Sequence, residues 1–447
     1  MDGQRVAVTW ELADDDAFTK IVKQGRATAA PELGYSVHVD VDGLVADRWY
    51  FYRFSAAGAT SRVGRFRTSP TAGATTPLRL AVASCQHYEQ GLYTAYTHMA
   101  REELDLVAHL GDYIYEYGTI PGRVRSHNAF ELRSLDDYRR RYALYKSDPA
   151  LQAAHARCPW ILTWDDHEVD NNYSGSIGEN LMESEEQMRA RRAAGYQAWW
   201  ENQPVRVPRV KSWSDLNVTR TLDWGGLARF WAMDCRQYRS DQACDDGNKV
   251  VPCGEWADPS RSMLGVAQER WITTGLESST ATRWRVLANP VMVAPYDNLA
   301  GEQQRVSMDQ WSGYPAARAR LLNTIAQSAP NRTVVLTGDI HASWVNELRT
   351  DFRRAEQPPV AAEFVGTSIS SGGDGNDTTA LATPEARADN PHVKWQQNRR
   401  GYMSCTVNAD SWTTEYRTVA YVTRPDAPVE TPTRWRVTRG RPGIEQV

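Results

Sequence analysis

The sequence predicts a protein of the α/β class, in which a small all-β domain precedes the α/β core. In the first part of the chain, apolar and polar residues alternate with a period of two, as in Val6–Leu12 and Tyr50–Phe54, which is typical of half-buried strands. From Leu78 onward, short aliphatic runs alternate with helix-like segments, and this pattern favours a parallel sheet. We therefore expect an all-β domain at residues 1–70, a small polar linker at 71–77 and the α/β domain at 78–447.

The all-β domain is predicted from three alternating strands, Val6–Leu12, Tyr35–Val41 and Tyr50–Phe54. Leu44 precedes Tyr50 by six residues, a spacing that resembles the tyrosine corner of fibronectin type III sandwiches. The proline in the middle of that motif is absent, because Ala46 occupies its position. The sequence thus predicts a fibronectin- or immunoglobulin-like sandwich.

The α/β domain begins with a βαβ unit, predicted as strand Leu78–Ser84, helix Leu92–Glu103 and strand Leu106–Leu110. Such a unit implies a parallel strand pair and a right-handed crossover. Further strands are predicted at Trp160–Thr163, Trp284–Leu287 and Thr333–Thr337, and a helix at Glu183–Glu201. The Gly/Ser-rich residues 366–375 indicate either a mobile loop near a site or an ordinary connector.

The composition excludes some classes of function. The chain has 447 residues and a formal net charge of −4, which gives no electrostatic basis for nucleic-acid binding. No apolar run approaches the roughly 20 residues that a membrane helix needs, so a soluble protein is expected. No signal-peptide pattern precedes the first predicted strand.

The cysteine spacing bears on the compartment. Cys244 and Cys253 bracket a loop rich in Gly, Pro and Asp, and this spacing favours a small disulfide ring and hence an oxidising environment. The alternatives are two unpaired thiols or one half of a zinc site. No second cysteine pair at zinc spacing follows, which argues against zinc.

Residues with chemical function follow four of the predicted core strands. They are Cys85, Asp112 with Tyr115, Asp165-Asp166-His167-Glu168, and Asp339 with His341. In open α/β sheets, ligands bind outside the carboxyl ends of the strands, so we expect these side chains to converge. A cluster of acidic, sulfur and imidazole groups at one sheet edge predicts a metal-dependent hydrolase.

Cys85, Asp112, Tyr115 and His341 form a ligand set that suits a ferric ion. A thiolate and a phenolate are stabilised by a hard trivalent ion, and Asp112 is placed to bridge two metals through its two oxygens. The alternatives for Cys85 are a small buried hydrophobic residue or a nucleophile with His87 as its base. For Tyr115 the alternative is an ordinary core tyrosine.

Asp166 and Asp339, with Asp112, form an oxygen-rich set that suits Ca²⁺, Mg²⁺ or Mn²⁺ better than Zn²⁺. Asp166 is favoured over Asp165 as the ligand. His167 is predicted to stabilise charge on a reacting phosphate or to protonate its leaving group. The alternative is an N-cap aspartate in a solvated acidic turn. Such a site would neutralise a bound phosphate and activate a hydroxide for in-line attack.

Three further residues have alternative interpretations. Asn171 and Asn172 are either oxygen ligands or turn residues. Arg236, in the sequence Asp234–Arg239, is either a clamp for the substrate phosphate or a solvated arginine.

These motifs resemble those of the PhoD-type alkaline phosphatases, a branch of the calcineurin-like and purple-acid-phosphatase metallophosphoesterases. The resemblance covers essentially the whole chain and depends on Ser84–Gln86, His109–Glu116, Trp164–Glu168 and Thr337–His341, which match in order. Relative to the wider superfamily, Cys85 replaces an Asp ligand, Asp166 an Asn and Asp339 a His. A further His ligand of the superfamily has no match in this sequence. Its equivalent position is expected at Asn289 or Pro290.

The resemblance implies a four-layer αββα core, a site for Fe³⁺ and Ca²⁺, and secretion through the twin-arginine pathway, although no Arg-Arg signal is seen. The same family includes iron-dependent phospholipases D. The motifs therefore leave phosphomonoesters, phosphodiesters and phospholipids as alternative substrates. Residues 427–447 show only weak helical periodicity, so no C-terminal lid helix is predicted over the site. A function of another class is a non-catalytic, secreted metal- or phosphate-binding protein, against which the intact ligand set argues.

Overall fold

The N-terminal part of the chain forms one antiparallel sheet. The structure is a computed structural model that describes residues 3–447. The sheet contains β1 (Val6–Ala13), β2 (Ile21–Ala29), β3 (Trp49–Ala56), β4 (Ala59–Thr60) and β5 (Gly64–Arg67). The strand order is β2-β1-β3-β4, and β5 also pairs with β3. The sandwich predicted for this region therefore remains a prediction.

The predicted tyrosine-corner contact is present. The buried Tyr50 hydroxyl accepts a hydrogen bond from the backbone N–H of Val45 at 3.0 Å. The strand predicted at Tyr35–Val41 is wrong, because these residues form a turn and irregular chain. His38 stacks on Trp200, with ring centroids 4.1 Å apart, and its Nδ1 lies 3.3 Å from the carbonyl oxygen of Val205. This segment thus packs on the α/β core instead of pairing with a strand.

The α/β core is built on a large curled sheet. Its strands are β6 (Leu78–Ala83), β7 (Leu106–Leu110), β8 (Trp160–Thr163), β9 (Arg220–Trp224), β10 (Ala228–Ala232), β12 (Trp284–Ala288), β14 (Thr333–Thr337), β15 (Ser343–Leu348), β16 (Ala361–Val365), β17 (Gly375–Asn376), β18 (Val393–Val407), β19 (Ser411–Val419), β20 (Val429–Thr438) and β21 (Glu445–Gln446). The short strands β11 (Asn248–Val251) and β13 (Gln304–Ser307) pair separately.

The long strand β18 joins two halves of this sheet. Its beginning pairs with β15 and its end pairs with β6. Strands β6, β7 and β8 are mutually parallel on one half, and β10, β12, β14 and β16 are parallel on the other. Strands β7, β12 and β14 are buried along their whole length, as continuous aliphatic runs in parallel sheets are. The predicted parallel βαβ unit and the predicted core strands are confirmed.

Seven α-helices occur within the described part of the chain, and six of them cover the outer faces of the sheet. The seven helices are α1 (Thr94–Met99), α2 (Leu135–Lys146), α3 (Pro149–Arg157), α4 (Glu185–Asn202), α5 (Gly265–Ser278), α6 (Pro315–Ser328) and α7 (Pro384–Asp389). Capping boxes begin α2 at Ser134 and α4 at Ser184. Helices α1 to α4 pack on the β6–β8 half, and α5 and α6 pack on the β10–β14 half. The strands of the two halves share a further cluster of buried side chains.

Two other predictions concern local structure. Cys244 and Cys253 form the predicted disulfide, and the other four cysteines are buried free thiols. Residues 427–447 contain β20 and β21 and no helix. Among residues 3–447, no helix combines the length and the apolar character needed to cross a membrane.

Candidate metal centre

Strained backbone presents the predicted ligands at the ends of β6, β7 and β14. Cys85, Asp112, Asp339 and His341 have φ angles of 58°, 56°, 64° and 51°. Each non-glycine residue in this left-handed region costs on the order of 1–3 kcal/mol, and such residues are concentrated at functional sites. Four of the predicted site residues share this conformation, so packing elsewhere must stabilise it.

The ends of β7 and β8 approach each other closely at Gly111. A Cβ atom on Gly111 would lie 2.4 Å from Cβ and 2.5 Å from the backbone nitrogen of Asp165, and Gly111 has a φ of 98°. The buried Glu168 carboxylate joins the two strand ends, since it accepts hydrogen bonds from the N–H of Asp112 at 3.0 Å and of Asp165 at 2.7 Å. Sequence reasoning assigned Glu168 no role, although it lies in the acidic motif after β8.

The first side of the site consists of Cys85, Tyr115 and His341, and is called the thiol–phenol side. The ligand atoms of Cys85, Asp112 and His341 lie within 4.8 Å of one another. The Tyr115 hydroxyl donates to Asp112 Oδ2 at 2.8 Å and lies 3.1 Å from His341 Nε2. The predicted ferric ligands therefore come together at one point.

The Gly/Ser-rich loop of residues 366–375 lies at this side. Ser371 Oγ donates to the Tyr115 hydroxyl at 2.7 Å and also lies 2.8 Å from the carbonyl oxygen of Cys85. Ser368, Ser370 and Ser371 are fully buried. Of the two interpretations, the structure supports a loop at the site, and Ser371 is a contact that its sequence context did not indicate.

The electrostatics of the thiol–phenol side are suited to an added positive charge. Burial, and then the charge of Asp112, raise the pKa of the Cys85 thiol and of the Tyr115 phenol well above their usual values. Burial lowers the pKa of His341 to about 3. Asp112 Oδ1 is buried and has no hydrogen-bond partner among the described residues. A bound cation would satisfy this oxygen and stabilise the thiolate and the phenolate, so the residues fit a metal.

The second side, called the carboxylate side, consists of Asp165, Asp166 and Asp339. Their ligand oxygens also lie within 4.8 Å of one another. Asp112 belongs to a third such group, with Asp166 and His167. It is thus within reach of both sides.

Arg236 is fully buried on the carboxylate side, so its interpretation as a solvated arginine is wrong. Its Nε lies 2.5 Å from Asp165 Oδ1, its Nη1 2.7 Å from Asp309 Oδ1 and its Nη2 3.1 Å from Asp339 Oδ1. All three of its nitrogens therefore donate to carboxylates. Asp309 was missed, because it follows no predicted core strand.

The two adjacent aspartates differ in their free oxygens. Arg236 donates to both carboxylate oxygens of Asp165. Asp166 Oδ2 accepts the N–H of Asn172 at 2.7 Å, whereas its buried Oδ1 has no hydrogen-bond partner in the described chain and only a longer ion pair, 3.5 Å, with Arg236 Nη2. Burial raises the pKa of Asp166, yet Arg236 and His167 outweigh it and keep the pKa below its usual value. These contacts support the preference for Asp166 as a ligand.

The side chain of Asp339 is held by residues that lie outside β14. Burial raises its pKa to about 6, against the opposing charge of Arg236. Gln310 Nε2 donates to its Oδ2 at 2.5 Å. Asn289, where a further ligand was expected, is used internally, because its Oδ1 accepts hydrogen bonds from Cys235 Sγ and Trp311 Nε1. The carbonyl of Pro290 accepts the N–H of Gly338 at 2.8 Å, and the expected place of a further ligand remains a prediction.

His167 lies over the thiol–phenol side with one nitrogen engaged. Its Nδ1 is 2.8 Å from Glu116 Oε2, and its ring centroid is 4.1 Å from that of Tyr115. Burial lowers the pKa of His167, but Glu116, Asp166 and Asp112 together hold the pKa well above its usual value. These acidic neighbours therefore favour the charged form of the imidazole, in which Nε2 is the nitrogen that would donate a proton.

His87 does not act on Cys85 in this arrangement. Cys85 Sγ donates to Ser84 Oγ at 3.2 Å, and His87 Nδ1 accepts the N–H of Glu89. Burial lowers the pKa of His87 to about 2. The structure therefore does not support a Cys85–His87 nucleophile pair.

A curled α/β sheet with carboxylates, a thiol, a phenol and imidazoles at its strand ends defines a metal-dependent hydrolase. The family model described as PhoD-like phosphatase matches residues 80–416, and the one described as PhoD-like phosphatase, N-terminal domain, matches residues 1–70. The chain belongs to the PhoD-like phosphatase family and is a phosphoric ester hydrolase.

Two relatives support this assignment, and a more distant structure shares the fold. Alkaline phosphatase D of Bacillus subtilis (strain 168) is 46% identical over 453 residues, which covers 100% of this chain and 77% of that protein. A solved structure of PhoD superposes with a TM-score of 0.96 at 45% identity, covering 100% of this chain and 86% of the other. The structure of purple acid phosphatase PPD1 from yellow lupin (Lupinus luteus) seeds has a TM-score of 0.58 at 13% identity. The match covers 97% of this chain and 70% of the other, and shows a shared fold.

Proposed function

We propose that this enzyme hydrolyses phosphomonoesters and phosphodiesters at a centre that binds Fe³⁺ and Ca²⁺, with Mn²⁺ or Mg²⁺ as substitutes for Ca²⁺. The observation that supports this most is the position of Asp112, which belongs both to the group with Cys85 and His341 and to the group with Asp166. A carboxylate shared in this way is suited to bridging two cations.

The two sides differ in the ion that they would bind. Cys85, Tyr115, His341 and Asp112 would bind Fe³⁺, since thiolate and phenolate suit a trivalent ion. Asp166 and Asp339, again with Asp112, would bind Ca²⁺ through oxygen. When bound, the metals supply the positive charge that attracts the phosphate and lowers the pKa of the attacking water.

Among the protein side chains, His167 would donate the proton or hydrogen bond that the reaction needs. Glu116 holds its Nδ1 at 2.8 Å and keeps the ring charged. Nε2 is then the nitrogen that donates a proton to the oxygen of the leaving group, or a hydrogen bond to the charged phosphate. Tyr115 and Tyr117 contact the ring, tilted and edge-to-face respectively, with centroids 4.1 and 5.2 Å away, and fix its orientation.

The rest of the proposal concerns architecture and location. The packing of helices on both outer faces of the curled sheet supports a four-layer αββα catalytic domain at residues 78–447, after an all-β domain at 1–70. The Cys244–Cys253 disulfide supports export to an oxidising compartment.

The test is a paired assay on the purified enzyme at alkaline pH, with Ca²⁺ and with a chelator. It compares p-nitrophenyl phosphate, bis-p-nitrophenyl phosphate and phosphatidylcholine, and measures the metal content of the same sample. We expect nitrophenyl ester turnover with bound iron and calcium, and loss of turnover with the chelator. A metal-loaded sample that turns over neither nitrophenyl ester would contradict the proposal and favour the non-catalytic alternative.

Phospholipase D activity is the less favoured function, because the 46% identical relative is an alkaline phosphatase. Release of choline faster than turnover of both nitrophenyl esters would reverse that order.

A further inference from the structure

The hydroxyl of Ser371, in the Gly/Ser-rich loop of residues 366–375, lies between three groups beside the thiol–phenol side. Its Oγ accepts the backbone N–H of His87 at 3.1 Å. The same Oγ lies 2.7 Å from the Tyr115 hydroxyl and 2.8 Å from the carbonyl oxygen of Cys85. A serine hydroxyl has one proton to donate, so Tyr115 and Cys85 compete for the single proton of Ser371.

The carbonyl of Cys85 has other donors. The backbone N–H groups of Ser370 and Ser371 donate to it at 3.4 and 3.3 Å. A carbonyl oxygen has two lone pairs, and these two backbone donors can supply both of them. The hydroxyl proton of Ser371 is therefore available to Tyr115.

The Tyr115 hydroxyl depends more strongly on Ser371. Its partners among residues 3–447 are Asp112 Oδ2 at 2.8 Å, His341 Nε2 at 3.1 Å and Ser371 Oγ. Asp112 and His341 are themselves predicted ligands, and an ionised carboxylate donates no hydrogen bond. When Tyr115 binds a metal as the phenolate, its oxygen has lost its proton and can only accept. Ser371 is then the partner placed to donate, and a hydrogen bond to a charged acceptor is about twice as strong as one between neutral groups.

Buried contacts fix the loop that carries Ser371. Arg400 of β18 is 1% exposed. Its Nη1 lies 2.8 Å from the carbonyl oxygen of Ser371, 2.6 Å from Ser368 Oγ and 2.5 Å from the carbonyl oxygen of His341. One guanidinium thus holds both the loop and the backbone of a predicted ligand. A donor held in this way loses little further freedom when it makes its hydrogen bond.

We propose that Ser371 is a positioning residue of the ferric site, whose hydroxyl donates a hydrogen bond to the oxygen of metal-bound Tyr115. The inference rests on the proposed Fe³⁺ centre and gives a residue outside the ligand set a part in it. The hydrogen bond withdraws negative charge from the phenolate oxygen and holds the ring in place. Residues that contact a ligand in this way orient the ligand and tune the metal.

The first test measures light absorption by the protein loaded with Fe³⁺, because a phenolate bound to Fe³⁺ gives a visible charge-transfer band. Ser371→Ala removes the donor, so the phenolate gives up charge more easily and the band should move to longer wavelength. Ser371→Thr keeps a hydroxyl and should leave the band near its wild-type position. The iron content of each sample is measured alongside.

The second test needs no substitution and applies even where Ser371→Ala does not retain iron. Protein loaded with Fe³⁺ in D₂O carries a deuteron on the Ser371 hydroxyl. The phenolate C–O stretching frequency, measured by resonance Raman scattering, should therefore differ between wild-type samples prepared in D₂O and in H₂O. In iron-loaded Ser371→Ala this isotope difference should disappear.

Ser370→Ala is the matched control. Ser370 is also fully buried in the same loop, but its Oγ donates to the carbonyl of His87 at 3.0 Å. Its band and its isotope difference should equal those of the wild type. An unmoved band in Ser371→Ala, no isotope difference in the wild type, or equal changes in Ser370→Ala would overturn the inference. Wild-type protein that binds no iron or shows no band would overturn the proposed ferric centre itself, and the inference with it, so the two failures are distinguishable.

Discussion

The two sides of the metal centre balance their charges differently. On the carboxylate side, the guanidinium of Arg236 forms ion pairs with Asp165, Asp166, Asp309 and Asp339. On the thiol–phenol side, no Arg or Lys side chain within residues 3–447 donates to the side chains of Cys85, Tyr115 or His341. Their hydrogen bonds are made to one another, to Asp112 and to serine hydroxyls.

This difference indicates which bound metal depends most on the ionisation of its own ligands. Cys85 and Tyr115 stay protonated unless a cation is bound, because burial and Asp112 raise both pKa values. The carboxylate side already has a cation from the chain. We therefore expect activity to depend on a tightly bound metal at the thiol–phenol side. The carboxylate side should tolerate exchange of one metal for another.

The largest effect is expected from Asp112→Asn, which alters both sides at once. Loss of the shared carboxylate should release both metals and lower kcat/KM by about 10⁴-fold, as removal of a member of a catalytic unit does. Metal analysis and nitrophenyl phosphate kinetics on the same sample measure this. Asp223→Asn, an exposed carboxylate on β9 paired with Arg229, is the control. Full retention of either metal would show that the sides are independent.

Arg236→Met tests the charge balance of the carboxylate side. With chelator, the free energy of unfolding should fall by about 3–5 kcal/mol, because the buried Asp165 and Asp339 lose the guanidinium with which they pair. Added Ca²⁺ should recover part of that loss. Urea unfolding with and without Ca²⁺ measures it, and Arg229→Met, which breaks a partly exposed pair, should cost about 1 kcal/mol or less. The same loss with and without Ca²⁺ would refute the idea that metal and arginine neutralise the same carboxylates.

Cys85→Ala tests the thiol–phenol side alone. Iron should be lost and kcat/KM should fall by roughly 10³-fold, the upper range for removing one charge-stabilising group, while calcium remains. Cys405→Ala is the matched control, since Cys405 is an equally buried free thiol within β18. Retained iron with full activity in Cys85→Ala would refute the thiolate assignment.

His167→Gln should separate metal binding from proton donation. Both metals should remain, and kcat should fall by about 10²-fold, as expected for loss of a general acid. Glu116→Gln should give a smaller loss, about tenfold, because it removes the partner that orients and charges the ring. If His167→Gln loses metal in proportion to activity, His167 is a ligand and not the acid.

Periodicity in the sequence was sufficient to predict the core strands and the strand ends at which the predicted ligands lie. Continuous aliphatic runs predicted β6, β7, β8, β12 and β14, because strands buried on both faces need no polar positions. A loop at the carboxyl end of a buried strand then placed Cys85, Asp112, Asp166 and Asp339 at one edge. The strand predicted at 35–41 failed because alternation does not distinguish a strand from an extended segment packed on another domain.

The sequence by itself determined the kinds of ligand and the strand ends that present them, since both are local in the chain. Only the tertiary structure decided which groups set their charges. Glu116 and Arg236 act on His167 and Asp165 from 51 and 71 residues away, Gln310 acts on Asp339 from 29, and Ser371 acts on Tyr115 from 256. Electrostatic and hydrogen-bond partners depend on distance in space, and no periodicity along the chain encodes that distance.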